Sequence, residues 1–192
     1  MRIIAGRYRG KRLADPGDGD MAAHLRPTSD RVREAVFSIL HSAGVMVQGA
    51  RVLDLFAGTG ALGLEALSRG ATHVTFVDNG AAARALIREN IATCQAMGAT
   101  RLFRRDALQL GENRAAPFDL VFLDPPYGRG LGAPALAAAV AGGWLAPGAC
   151  VVWEESSPQP APPGFVQTDL RRYGDTCVTF LDRTDVGDAQ QG

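Results

Sequence analysis

Arg51-Val52-Leu53-Asp54-Leu55-Phe56-Ala57-Gly58-Thr59-Gly60-Ala61-Leu62-Gly63 runs from an apolar strand through a glycine-rich turn into a helix. After Arg51 the strand is apolar on both faces except for Asp54, as a strand covered on both sides must be. Gly58, Gly60 and Gly63 then fit G-x-G-x-x-G between a strand and a helix, the arrangement that brings a ligand against backbone N–H groups. The helix continues to about Ser68 and ends at Arg69-Gly70-Ala71.

Downstream the alternation repeats. His73 to Asp78 reads as a second strand, followed by a helix carrying Leu86, Ile87, Ile91 and Met97. Arg101 to Arg104 reads as a third strand before Asp106, and Phe118 to Leu123 as a fourth. Ala133 to Gly143 is a small-residue helix and Cys150 to Glu154 a fifth strand. After the proline-rich loop Pro158 to Gly164, Val166–Tyr173 and Thr176–Leu181 form a hairpin around Gly174-Asp175. The expected class is therefore α/β: a doubly wound, mostly parallel, seven-stranded Rossmann-like sheet with a C-terminal antiparallel hairpin.

Upstream, Arg2 to Gly10 suggests a bent strand or hairpin, and Asp15 to Asp20 a loop. Thr28 or Ser29 is placed to cap a helix with apolar positions Val32, Val36, Ile39 and Leu40. Residues 1–48 thus read as an N-terminal extension packed on the core, 49–184 as the core, and 185–192 as a disordered polar tail.

Composition narrows the class. The 192 residues hold 20 Lys+Arg and 20 Asp+Glu, so net charge names no partner, but its distribution does. The first twelve residues carry Arg2, Arg7, Arg9, Lys11 and Arg12 and no acid, and Arg26, Arg31 and Arg33 follow. Together they are candidates for an RNA phosphate-binding patch. Cys94, Cys150 and Cys177 have no metal-ligand spacing, so no metal site is expected. Free thiols and the lack of a signal core or membrane span imply a cytoplasmic protein, expected as a monomer.

The glycines with Asp78 at the end of the second strand specify a ribose-bearing cofactor without saying which. Asp54 inside the first strand suits the ammonium of S-adenosylmethionine and would repel a pyrophosphate. Asp106 is placed to accept from an adenine amino group, or to cap a helix. A dehydrogenase would need a second domain, for which the residues after the hairpin leave no room. S-Adenosylmethionine, leaving as S-adenosylhomocysteine, is the expected cofactor, with a nicotinamide oxidoreductase as the competing reading.

The fourth strand delivers Asp124-Pro125-Pro126-Tyr127 to the carboxyl edge of the sheet, where open α/β folds bind ligands. The Asp124 carboxylate and the Pro125 carbonyl are suited to accept the two N–H groups of an exocyclic amine. Tyr127 is suited to stack on the ring that bears it. Positioning would do most of the work, because a sulfonium is already a good leaving group.

These residues resemble the amino-methyltransferases with a [DNS]-P-P-[YFW] motif. Further stretches narrow the resemblance to the bacterial enzymes that methylate guanine N2 in 16S ribosomal RNA. They are Arg2-Ile3-Ile4-Ala5-Gly6, Leu25-Arg26-Pro27-Thr28-Ser29-Asp30, Gly60 to Ala71 and Tyr173-Gly174-Asp175-Thr176. The resemblance implies S-adenosylmethionine along Asp54, Phe56, Ala57, Gly58 and Gly60. It also implies Asp78 and Asn79 at the ribose and Asp106 and Ala107 at the adenine. Guanine N2 would lie at Asp124 to Tyr127, and the substrate would be 16S ribosomal RNA, within a small-subunit assembly particle. Gly80 stands where such enzymes often carry a second acid, and the loop Asp15 to His24 is longer than usual, leaving the arm's path open. The alternatives are a DNA adenine-N6 or cytosine-N4 methyltransferase, which usually needs a recognition domain, and a noncatalytic RNA-binding module.

Overall fold

The computed structural model describes residues 1–16 and 29–184. Arg26, Thr28, most of the Asp15–His24 loop and the tail lie outside them. Seven strands form one sheet in the order β3-β2-β1-β4-β5-β7-β6. They are β1 (Arg51–Leu55), β2 (His73–Val77), β3 (Thr100–Phe103), β4 (Phe118–Leu123), β5 (Leu145–Glu155), β6 (Phe165–Tyr173) and β7 (Thr176–Arg183). β1 to β5 pair in parallel; β7 runs antiparallel between β5 and β6. The expected doubly wound sheet with a terminal antiparallel hairpin is what the chain forms.

Four helices accompany it: α1 (Asp30–Ser42), α2 (Ala61–Ser68), α3 (Ala81–Thr93) and α4 (Gly132–Ala141). Ser29 caps α1, its side chain accepting from the Val32 amide at 3.3 Å. Strand alternation sorts the core onto two faces. Val52, Val74, Phe76, Leu120 and Phe122 pack with α1, α2, α3 and the N-terminal residues Ile3, Tyr8 and Leu13. Leu53, Leu55, Val121, Leu123 and Val151 pack with α4 and Leu110. The first face carries three helices. Among the described residues the second carries one helix and a short 3₁₀ turn at Ala107–Gln109, because the β3–β4 connection holds no α-helix.

Two element boundaries differ by four residues or more from the sequence reading. α3 ends at Thr93, four residues before Met97, which lies in a short turn and is 74% exposed. Gln95 takes a left-handed φ of 53°, which breaks the helical repeat that Met97 would have continued. β5 begins at Leu145 rather than Cys150. Its first residues pair with Phe118 before a register shift, so Pro147 and Gly148 did not stop the strand.

The N-terminal arm folds back as a tight loop, with Arg2 bridging Arg12 in antiparallel sense. Its backbone is docked on α2. The Ile4 and Ala5 amides donate to the buried Glu65 carboxylate at 2.8 and 3.0 Å, and the Tyr8 amide donates to Ser68 Oγ at 2.9 Å. Gly6, at φ 79°, lies so close to α2 that a Cβ there would sit 1.8 Å from the Ser68 carbonyl oxygen.

Candidate active site

The sheet reverses direction between β1 and β4: β2 and β3 extend to one side of β1, β5 and the hairpin to the other side of β4. A crevice opens outside the strand ends at such a switch point. The glycine loop leaves β1 on one side of it and Asp124-Pro125-Pro126-Tyr127 leaves β4 on the other.

The loop is built by three turns of the backbone. Phe56 holds a left-handed φ of 57°, a costly state for a bulky residue that clusters at ligand sites. Gly60, at φ 75°, caps α2 without side-chain help. Gly63 lets α2 approach β1 and β2, since a Cβ there would meet Phe76 at 2.5 Å. Asp54, 2% exposed, accepts from the Gly63 amide at 3.0 Å. Burial pushes its carboxyl well above the usual range; Gly63 opposes this and the nearby Asp78 and Glu154 add to it.

Asp78 binds the loop rather than waiting free. Its two oxygens accept from the Gly58 amide at 3.0 Å and the Gly80 amide at 2.8 Å. Burial raises its pKa, while those two amides and Arg84 pull it down. Asn79 is exposed next to it. Asp106 caps the short turn after β3 by accepting from the Leu108 amide at 2.9 Å, and Ala107 is buried. The second oxygen of Asp106 takes no part in that cap bond.

At the other wall, Pro125 is buried and Pro126 and Tyr127 are partly exposed. Three residues to which the sequence reading gave no site role hold this turn. Glu155 Oε1 accepts from the Gly128 amide at 3.0 Å and from the Ser156 amide at 2.7 Å. The Tyr127 hydroxyl lies 3.2 Å from Thr176 Oγ1, at the start of β7. Glu154, 2% exposed, hydrogen-bonds with the Asp124 carboxyl. Asp124, half-buried as a residue, is pushed well above the ordinary range by burial, then by Glu154, Asp54 and Glu155. The available signal was two acids ending the apolar run Cys150 to Trp153; their neighbour, Asp124, follows only from the β4–β5 pairing.

A fourth such residue is Asn90 on α3, fully buried. Its Nδ2 donates to the Thr59 carbonyl at 2.9 Å and the Ala14 carbonyl at 3.0 Å; its Oδ1 accepts from the Ala14 amide at 2.7 Å. One side chain thus ties the glycine loop to the N-terminal arm.

The expected arginine patch divides. Arg33 is fully buried, donating to the Arg2 carbonyl and to Asp30 at 2.8 Å, so it braces the arm instead of facing RNA. Arg7 lies over the Tyr8 ring at 4.4 Å, and Lys11 Nζ donates to the Thr93 carbonyl at 2.6 Å. Arg2 pairs with Asp30 at 3.6 Å. Arg9, Arg12 and Arg31 are exposed. Among the described residues no cluster suits a metal ion, and no helix is long and apolar enough to cross a membrane.

The family model Conserved hypothetical protein 95 matches residues 1–182. The ribosomal RNA small subunit methyltransferase D of Escherichia coli is 41% identical over 154 residues, 80% of this chain and 74% of that protein. This chain belongs to the small-subunit ribosomal RNA methyltransferase family. The protein of the same name from Haemophilus influenzae is 35% identical over 163 residues, 83% of this chain and 81% of its own. The solved structure of yhhF from Escherichia coli superposes with a TM-score of 0.80 at 35% identity, covering 96% of this chain and 98% of that one.

Proposed function

We propose that this protein methylates ribosomal RNA, transferring a methyl group from S-adenosylmethionine to the exocyclic N2 of a guanine in 16S ribosomal RNA. The observation that carries this reading is the pairing of two walls at one switch point. A glycine loop tied to Asp78 faces an Asp-Pro-Pro-Tyr turn fixed by Glu155 and Thr176. Family membership supports the choice of ribosomal RNA.

The residues fit the cofactor. Asp54, Asp124 and Glu154 crowd together in low dielectric, and a ligand carrying an ammonium and a sulfonium relieves that repulsion. Asp78 and the loop amides suit ribose hydroxyls, with Phe56, Ala57, Gly58 and Gly60 lining the loop and Asn79 beside the ribose. Asp106 and Ala107 sit where an adenine would be read. When bound, S-adenosylmethionine supplies an electrophilic methyl group on a leaving group that departs uncharged.

The chain's own residues do the rest. Asp124 and the Pro125 carbonyl accept the two N–H groups of the amine, turning its lone pair out of conjugation with the ring. Tyr127 stacks on the base, flipped from its own stack, and its hydroxyl contact with Thr176 fixes the ring's tilt. After transfer, Asp124 is placed to take the surplus proton, with Glu154 hydrogen-bonded behind it. The turn's two prolines fix φ and hold this geometry without further ordering. The exposed Arg9, Arg12 and Arg31, with Arg2, Arg7 and Lys11 partly engaged, offer RNA phosphates a contact surface.

Purified protein with labelled S-adenosylmethionine, assayed on 16S transcript, small-subunit particles and duplex DNA, tests the reading. Label should enter RNA and be released by nuclease digestion as N2-methylguanosine. Label in DNA, or on adenine, would overturn it, as would binding of NAD without binding of S-adenosylhomocysteine.

A further inference from the structure

On the second face of the sheet no helix covers the strands nearest the β3 edge. The β3–β4 connection supplies only a 3₁₀ turn and extended chain among the described residues, which leaves a groove along the amino-terminal parts of β1, β2 and β3. A parallel sheet normally has both faces covered, and the residues here are not those of an interior. Alternation puts Arg51, His73, Thr75 and Arg101 on this face, with Arg51 opposite His73 and Thr75 opposite Arg101 in the ladder. Two interstrand spacings, about 10 Å, therefore carry a row of basic side chains across three strands. Arg105 and Arg114, from the β3–β4 connection, line the far wall of the same groove, whose volume is about 950 Å³.

The arginines are held for outward use. Arg51 lies 5.0 Å over the Phe118 ring, and its buried Nε has no hydrogen-bond partner. Arg105 lies 5.1 Å over Phe103 and 6.0 Å from Trp144, with one nitrogen donated to the Leu110 carbonyl. A guanidinium stacked by its face keeps other N–H edges for an anion. Arg101 has no ion pair among the described residues, and Arg114 meets only Glu112, at 3.7 Å in open solvent, where such pairs contribute little. Four arginines thus line the groove against two acids, Asp106 and Glu112. Their field is felt: burial, then Arg51 and Arg101, lower the pKa of His73.

We propose that this groove is a second RNA-binding site, which holds the phosphodiester backbone of the substrate away from the target base. The proposal rests on the reading of the substrate as RNA. Charge complementarity selects the occupant: the groove gathers cations, and its aromatic rings Phe118 and Trp144 are buried beneath them rather than offered to an apolar partner. Neutralised phosphates release counterions, so the site contributes affinity without sequence preference and leaves specificity to the Asp124 turn.

The test uses the double variant Arg101→Ala, Arg114→Ala, both exposed positions outside the residues assigned to the cofactor and the base, with Arg101→Lys, Arg114→Lys as the charge-preserving control. Binding of 16S transcript is measured across a salt series, alongside S-adenosylhomocysteine binding and methyl transfer at saturating RNA. Loss of two phosphate contacts should make the slope of log affinity against log salt shallower by about 1.4 to 1.8, with affinity on the order of tenfold weaker at low salt. The lysine control should restore both. S-Adenosylhomocysteine affinity and kcat should stay unchanged while KM for RNA rises. An unchanged salt slope in a variant whose parent methylates RNA would overturn the groove alone. A parent protein that neither binds nor methylates RNA would overturn the substrate reading and the groove with it. A concentration-dependent dimer lost in the alanine variant, with RNA affinity intact, would assign the face to a second copy instead.

Discussion

At the carboxyl edge of the sheet, Asp54, Asp78, Asp124, Glu154 and Glu155 meet at the ends of adjacent strands; Asp54, Asp78 and Glu155 accept from named backbone amides, and Asp124 and Glu154 hydrogen-bond each other. On the helix-free part of the second face, Arg51, Arg101, Arg105 and Arg114 meet with few acids, and Arg51 and Arg105 are held by stacking on rings. The acids are buried or half-buried and costly in charge; Arg101, Arg105 and Arg114 are open and the spacing of the arginines is loose. Buried fixed charge suits one small ligand of definite shape, because desolvation makes each misplaced atom expensive. Open charge suits a polymer read by its repeat of phosphates. The two regions therefore divide a single task, chemistry at one and grip at the other.

The sharpest way to break that division is at Asp124. Asp124→Ala removes the acceptor on the amine and should lower kcat by about 10²–10³-fold, the range seen for loss of one preorganised hydrogen-bonding group. RNA affinity and its salt slope should hardly move. A matching loss of RNA affinity would mean that the carboxyl edge also grips. Asn90→Ala tests how far the acid edge depends on its supports. It leaves the Thr59 and Ala14 carbonyls and the Ala14 amide without their buried partner. Stability to denaturant should fall by about 2–3 kcal/mol, and S-adenosylhomocysteine binding should weaken because the glycine loop loses its tether. Unchanged cofactor affinity at lowered stability would show that the loop holds its shape alone. Tyr127→Ala should weaken RNA binding or raise KM by about 1–3 kcal/mol through lost stacking. Tyr127→Phe keeps the ring and should recover most of it.

The acid edge was largely legible in the sequence and the basic groove was not, for a physical reason. Gly58, Gly60, Gly63 and Asp54 act within a dozen residues, and Asp124 to Tyr127 within four, so local order carries their chemistry. Glu154 and Glu155 become neighbours of Asp124 only through the β4–β5 pairing, and Thr176 reaches Tyr127 only through the hairpin. The groove is more distant still from any local pattern. Arg51, Arg101 and Arg114 lie on separate elements, and what exposes them is a helix that the β3–β4 connection lacks. Arg33 misled in the other direction. In sequence it stands among the arginines read as a patch, whereas in the fold it turns inward and donates to the Arg2 carbonyl and Asp30.

The smallest effect asked of the comparison concerns pH, and it separates the cationic cofactor from its neutral product. In the ligand-free protein, burial and the neighbouring Glu154 and Asp54 raise the Asp124 pKa above its unfolded value of about 3.9. The native state therefore keeps a proton that the unfolded chain gives up. The stability from this group is present below pH 3.9 or so and is lost as pH rises toward the folded pKa, at up to about 1.4 kcal/mol per pH unit. A sulfonium entering the cluster favours the ionised form, so S-adenosylmethionine should release protons on binding and bind more tightly as pH rises. S-Adenosylhomocysteine, without that charge, should show a flatter profile. Glu154→Gln removes one of the crowding charges, so the decline in stability and the pH slope for S-adenosylmethionine should both become shallower. The phosphate grip at Arg101 and Arg114, on other elements than the acids, should not change. Equal pH slopes for the two ligands in the unmodified protein would mean that the acids serve to shape the loop and not to select charge.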